Sequence, residues 1–299
     1  MGKQAYNQIY KMNNNKVIKP IIYFSQPFKQ PVMKKQFISL LLLFLFIGRA
    51  ASAMQADSGK YFTSFDGVKI YYEIKGTGYP VVLIHGFTGT SQGWKRGKLY
   101  SELLNAGYKV VLLDLRGNGR TDKPHNEEAY ANNAEAKDII GLATLLGLKK
   151  YDVVGYSRGS IIASSLMLMD KRVNKTVLGG MGDGYTDPEW PRRIHFYKAL
   201  MGDTSYRETD GLMKWVNSQP FDKLCLALQQ KYQPSTTPTQ LAKVKKPVLI
   251  IRGTEDKENG SETALKQMIP GAQLAYVPGD HNNASGTSQF AEAVMKFIK

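Results

Sequence analysis

The sequence predicts an α/β fold: a mostly parallel sheet with helices on both faces, an antiparallel hairpin at its N-terminal edge and a small helical lid. Two observations carry this expectation, namely short runs that are apolar throughout and segments of helical period lying between most of them. A strand apolar on both sides must be covered on both faces, and the crossover helices of a parallel sheet supply that cover. The runs fall at residues 80–84, 109–113, 151–154, 176–178, 247–251 and 273–277. The helical segments fall at 129–146, 161–169, 262–268 and 289–298.

Upstream of these, residues 61–65 and 68–72 flank Asp66-Gly67, a hairpin signal that places an antiparallel pair at the sheet edge. The spacing breaks once, between 178 and 247, over a stretch too long for an ordinary crossover. It carries Trp190, Pro191, Arg192, Arg193, His195, Trp215 and several helix-compatible stretches. This insertion, spanning about 181–246, is expected to lie as a lid over the carboxyl ends of the strands. No repeat and no second domain are visible, so residues 57–299 form one domain.

Residues 1–56 read as a leader. They hold eight basic residues and no Asp or Glu; removing them from the net charge of +15 leaves +7 for the remainder. That remainder is not gathered into a stripe, and nucleic-acid binding is not expected. Within the leader, Met33-Lys34-Lys35, the apolar run 37–47 and Ala51-Ser52-Ala53 form the basic, apolar and small-residue regions of a secretory signal. The expectation is export to the periplasm or beyond, with Met33 as the start. The apolar run is about half of the ~20 residues a membrane span needs, so no stable span is expected after cleavage. Cys225 is the only cysteine, which excludes an intramolecular disulfide and reads as a buried structural thiol.

The chemistry-bearing motif is Gly155-Tyr156-Ser157-Arg158-Gly159, between the apolar run 151–154 and a helical segment. A serine held on a sharp strand-to-helix turn has no room beside it, so the positions two before and two after must lack bulky side chains. The following helix directs its N-terminal N–H groups toward negative charge developing on the serine's substrate.

In this context the chain resembles the α/β-hydrolase fold family from Tyr61 to Lys299. His85-Gly86-Phe87-Thr88-Gly89 looks like the family's oxyanion loop. The run from Asp114 to Pro124 is similar to its D-x-R-G-x-G-x-S turn, with Thr121 in place of the usual serine. The resemblance implies a nucleophilic Ser157 and an oxyanion held by the backbone N–H groups of Phe87 and Arg158. His85, Asp114 and Arg116 are expected to shape loops. Serine also distinguishes this chain from the epoxide hydrolases and haloalkane dehalogenases of the family, which use Asp at that position.

Serine needs a base to take its proton, and the base needs a carboxylate to orient it. Of four histidines, His281 in Pro278-Gly279-Asp280-His281 stands where the family places its base, after the last strand. His125 and His195 are left as possible pocket-lining residues. The resemblance picks Asp256, three residues after Gly253, as the acid; Glu255, Glu258 and, as the serious rival, Asp183 remain open. No metal and no cofactor is expected, since neither a P-loop nor H-E-x-x-H spacing occurs.

The expected activity is acyl transfer to water, on carboxylic esters of small to medium acyl groups, with a small molecule as the only partner foreseen. Thioester, lactone, amide and carbon–carbon bond hydrolysis, acyl transfer, perhydrolysis and a non-catalytic binding role on the same fold stay open. Trp190, Trp215, Tyr185 and Phe196 point to an apolar pocket. Arg158, Arg192 and Arg193 either attract an anionic substrate or are solvated surface, the latter being the expected state. The sequence does not fix the oligomeric state.

Overall fold

The structure, a computed structural model, describes residues 59–299. The secretory signal and the start at Met33 lie outside the described residues. From the N-terminal side the elements are β1 (Lys60–Thr63), β2 (Lys69–Lys75), β3 (Pro80–Ile84), α1 (Ser91–Arg96), α2 (Lys98–Asn105), β4 (Lys109–Leu113), α3 (Ala134–Leu145), β5 (Tyr151–Tyr156), α4 (Arg158–Met169) and β6 (Val173–Gly179). Then come four helices, α5 (Pro191–Leu200), α6 (Asp210–Asn217), α7 (Lys223–Lys231) and α8 (Pro238–Leu241). The chain closes with β7 (Val248–Gly253), α9 (Glu262–Met268), β8 (Gln273–Val277) and α10 (Ser288–Ile298).

The strands form one eight-stranded sheet in the order β1-β2-β4-β3-β5-β6-β7-β8. β2 pairs antiparallel with both β1 and β4, and every other pairing is parallel. Side chains of a strand alternate between faces, and in this sheet both sets are apolar. Val82, Ile84, Val111, Leu113, Val153 and Ile250 pack on one face with Ile139 and Leu142 of α3 and Ile161 and Leu166 of α4. Val81, Leu83, Val110, Leu112, Val154 and Ile251 pack on the other with Leu99 and Leu103 of α2 and Phe290 and Val294 of α10. Two cores, one on each face, are what uninterrupted apolar strands require.

Two local features depart from the sequence expectation. The helix foreseen from 129 begins at Ala134, because Asn132 and Asn133 take positive φ values of 55° and 59°, outside helical space. In the hairpin, strand pairing stops at Thr63 opposite Lys69; Ser64 N–H then donates to Val68 O across a wider turn, with Gly67 at φ 90°. The pair α1 and α2 was not foreseen. Leu99 and Leu103, four residues apart and both fully buried, are its helical signal. Among the described residues no helix is long and apolar enough to cross a membrane.

Candidate active site

Ser157 sits between the end of β5 and the first turn of α4, with φ 54° and ψ −126°. Such a conformation is strained for a residue with a side chain and persists only where its surroundings enforce it. The enforcement is steric: a Cβ on Gly155 would collide with the backbone of Gly159, and one on Gly159 with the carbonyl oxygen of Ile84. Ser157 N–H donates to Gly179 O at 2.8 Å, pinning the turn to the end of β6.

His281, on the loop after β8, places Nε2 2.9 Å from Ser157 Oγ and Nδ1 2.9 Å from Asp256 Oδ2. A carboxylate only accepts, so Nδ1 carries the proton and Nε2 faces the serine as acceptor. Tyr156 steadies the histidine from behind, its hydroxyl donating to His281 O at 2.8 Å. The Asp256 side chain is fully buried. Burial raises its carboxyl, but the hydrogen bonds from His281 and from Glu258 N–H, together with the charges of His281 and Arg252, outweigh this and hold it below the ordinary value. It therefore stays ionised and keeps the imidazole in one tautomer.

The rival acid is engaged elsewhere. Asp183, after β6, accepts the Ser261 N–H on Oδ1 at 2.7 Å, while its own N–H donates to Ser261 O at 3.1 Å. It fastens the strand-end loops together and makes no contact with His281 among the hydrogen bonds of the described residues.

Phe87 and Arg158, expected as oxyanion donors, both line the cavity that contains Ser157. Among the described residues neither backbone N–H has a hydrogen-bond partner, which leaves both open to an incoming oxygen. His85 shapes the loop that carries Phe87. Its Nδ1–H donates to Gly86 O at 2.8 Å and its Nε2 accepts from Leu115 N–H at 3.0 Å. Burial pushes this imidazole below its ordinary value and it stays neutral. Asp114 accepts the N–H groups of Ser91 and Arg120, and Thr121 donates to Asp114 O at 2.6 Å while accepting from Tyr71 N–H. The threonine thus makes hydrogen bonds that a serine hydroxyl would also provide. Arg116 is wholly buried between Asp66, Asp138 and Ala129 O.

The cavity measures about 630 Å³ and is roofed by the insertion, with Trp190, Phe196 and Trp215 among its walls. Tyr185, expected beside them, is instead a core residue whose hydroxyl donates to Ser164 Oγ at 2.9 Å. The three arginines differ from one another. Arg158 is buried and holds Glu135 through two bonds at 2.8 and 2.6 Å, so its side chain is neither surface nor a free cation. Arg193 donates to the carbonyls of Gln230, Lys231 and Pro188. Arg192, partly exposed at the cavity like Arg193, pairs with Glu258 at 2.5 Å and lies over the Phe196 ring.

Sequence reasoning missed Asn259. Its Nδ2 donates to Gly180 O at 3.1 Å and lies 3.4 Å from His281 Nδ1, from a left-handed backbone at φ 67°. The Asn-Gly dipeptide it forms with Gly260 is a turn signal that, three residues past the expected acid, marks a loop worth inspecting. His125 pairs with Asp222, and His195 with Glu208, which lines the cavity.

A sequence model of the alpha/beta hydrolase fold matches residues 79–192, which contain the oxyanion loop and the serine turn. The chain has the α/β-hydrolase fold. The chain is 32% identical over 176 residues to 2-hydroxy-6-oxononadienedioate/2-hydroxy-6-oxononatrienedioate hydrolase 2 of Pseudomonas putida, over 56% of this chain and 60% of that one. It is 37% identical over 98 residues to epoxide hydrolase 3 of Siraitia grosvenorii, over 33% and 30% of the two chains. These matches span about a third to three fifths of the relatives' own length. Among solved structures, an esterase from Exiguobacterium antarcticum is similar with a TM-score of 0.68 at 22% identity, over 81% of this chain and 99% of that one. A bromoperoxidase from Bacillus anthracis is similar with a TM-score of 0.67 at 24% identity, over 81% and 99%. At such identities the likeness is one of fold.

Proposed function

We propose that this chain is a serine hydrolase working through an acyl-enzyme, most readily on carboxylic esters of small to medium acyl groups. The observation that carries the reading is the unbroken relay from Ser157 Oγ to His281 Nε2 and from His281 Nδ1 to Asp256 Oδ2, both links at 2.9 Å. Ser157 attacks the acyl carbonyl as His281 takes its proton, and the negative oxygen is held by the Phe87 and Arg158 N–H groups. His281 then protonates the leaving alcohol, and the same imidazole activates water to release the acid. Such oxyanion donors are worth on the order of 10²–10³ in rate each. The aromatic walls and the cavity volume suit an acyl chain of modest length. Export belongs to the same reading, and the secreted chain is expected to begin shortly after Ala53.

The test is turnover of a p-nitrophenyl ester series, from acetyl to long-chain acyl, by the wild type and Ser157→Ala. Activity that peaks at short or medium chains and is lost in the variant supports the proposal. Absence of turnover on every ester would sink the esterase reading and move attention to another bond or to a binding role.

A further inference from the structure

Away from the catalytic centre, three side chains of different chemistry converge where the loop after the arginine-glycine turn at 114–124 meets the lid. His125 Nε2 lies 2.7 Å from Asp222 Oδ2, and with Cys225 Sγ the donor atoms all fall within 4.8 Å of one another. His125 is exposed and Cys225 is wholly buried, so the group spans from solvent into the protein. Asp222 divides its oxygens: Oδ1 caps α7 by accepting the Cys225 N–H at 3.0 Å, which leaves Oδ2 for His125. Beside the sulfur, the Tyr130 hydroxyl is buried against Cys225.

We infer that His125, Asp222 and Cys225 form a binding site for a borderline transition-metal ion, zinc foremost, which clips the lid helix α7 to the loop that follows the arginine-glycine turn. One imidazole, one thiolate and one carboxylate suit zinc and its first-row neighbours and disfavour magnesium or calcium. Tetrahedral zinc would hold sulfur and nitrogen about 3.5 Å apart, within reach of donor atoms that already lie within 4.8 Å of one another. The metal takes the place of the proton shared by His125 and Asp222. The backbone bond to Asp222 Oδ1 stays in place and orients the ligating oxygen, as outer partners of metal ligands do. The Tyr130 hydroxyl supplies the donor that a buried thiolate needs. Burial pushes the Cys225 thiol up to about 11, and a bound cation reverses that preference. The solvent-facing side leaves a coordination position for water.

The chain suits a direct test, because Cys225 is its only cysteine and any sulfur-to-metal signal must come from it. Tag-free protein is titrated with Co²⁺ and, separately, with Zn²⁺. The expected result is a sulfur-to-cobalt charge-transfer band saturating at one equivalent. Zinc at about a hundred times its Kd should raise Tm by about 5 °C, reversibly with chelator. Asp222→Asn keeps an N-capping side chain but removes the charged ligand, so it separates metal binding from folding. This variant and His125→Ala should weaken cobalt binding by more than about tenfold. Cys225→Ser should abolish the band. No charge-transfer band in the wild type, or zinc stabilisation that persists unchanged in Asp222→Asn, would overturn the site.

Discussion

The loops that carry Ser157, Asp256 and His281 and the lid that roofs them are held by different kinds of interaction. The loops are fastened to one another by main chain: Ser157 N to Gly179 O, Gly180 N to Ile251 O, Thr254 N to Val277 O and Glu255 N to Gly279 O, all between 2.8 and 3.1 Å. Among the described residues the lid is rooted by main chain only at its start, where Gly182, Asp183 and Gly184 N–H donate to Asn259 O and Ser261 O; beyond that it is attached near the cavity through side chains, with Arg192 on Glu258, Arg193 on the carbonyls of α7 and Arg158 on Gln229 O. Main-chain bonds survive substitution and side-chain bonds do not. The geometry of the chemistry is therefore fixed by the sheet, whereas the shape of the pocket can be altered one residue at a time.

Substitutions can break this contrast at graded cost. Ser157→Ala should lower kcat by on the order of 10⁴-fold or more without moving Tm appreciably, measured on the best ester. Asp256→Asn should come next, at about 10⁴-fold in kcat, because the amide no longer holds His281 in the required tautomer. It should also change the response to acid. The Asp256 carboxyl is held below its ordinary value in the fold, so its stabilisation is complete above the ordinary carboxylate range and is lost as pH falls through the lowered value. Urea midpoints across the acid range should thus fall less steeply for Asp256→Asn than for the wild type.

Gly159→Ala tests the steric enforcement of the serine turn. Placing a Cβ against the Ile84 carbonyl should cost about 3 kcal/mol, read from chemical denaturation. Asp183→Asn should lower activity less than about tenfold while reducing Tm, since it loosens Ser261 and leaves the relay intact. A loss as large as that of Asp256→Asn would instead make Asp183 the working acid. Glu258→Gln should have the smallest effect on stability, about 0.2–1 kcal/mol for a partly exposed pair, and should shift KM and acyl-chain preference more than kcat.

The same contrast accounts for what could be read in advance. Parallel strands and the serine turn were legible because their requirements are local: apolar residues on both sides of a strand, and glycines two places either side of Ser157. The choice between Asp256 and Asp183 was not, since both follow a strand and only the three-dimensional turn decides which meets His281. Arg158 illustrates the harder case. Its partner Glu135 lies on another helix, and no spacing in the sequence announces that the guanidinium turns inward. Tyr185 failed for a related reason, because an aromatic in the insertion can fill the core as readily as the cavity. His125 and Cys225 are far apart in the chain and match no short metal motif.

Arg158 also limits how far the lid can be treated as a module. Its backbone N–H is a proposed oxyanion donor, while its guanidinium reaches Gln229 O on α7 at 3.1 Å as well as Glu135. Recombining this chain with a relative at the obvious joints on either side of the insertion would remove one of the partners of a buried cation beside Ser157. A chimera that retains α7 and exchanges only α5 and α6 would keep that attachment, so the natural crossover point for lid swapping falls before α7, between residues 218 and 222.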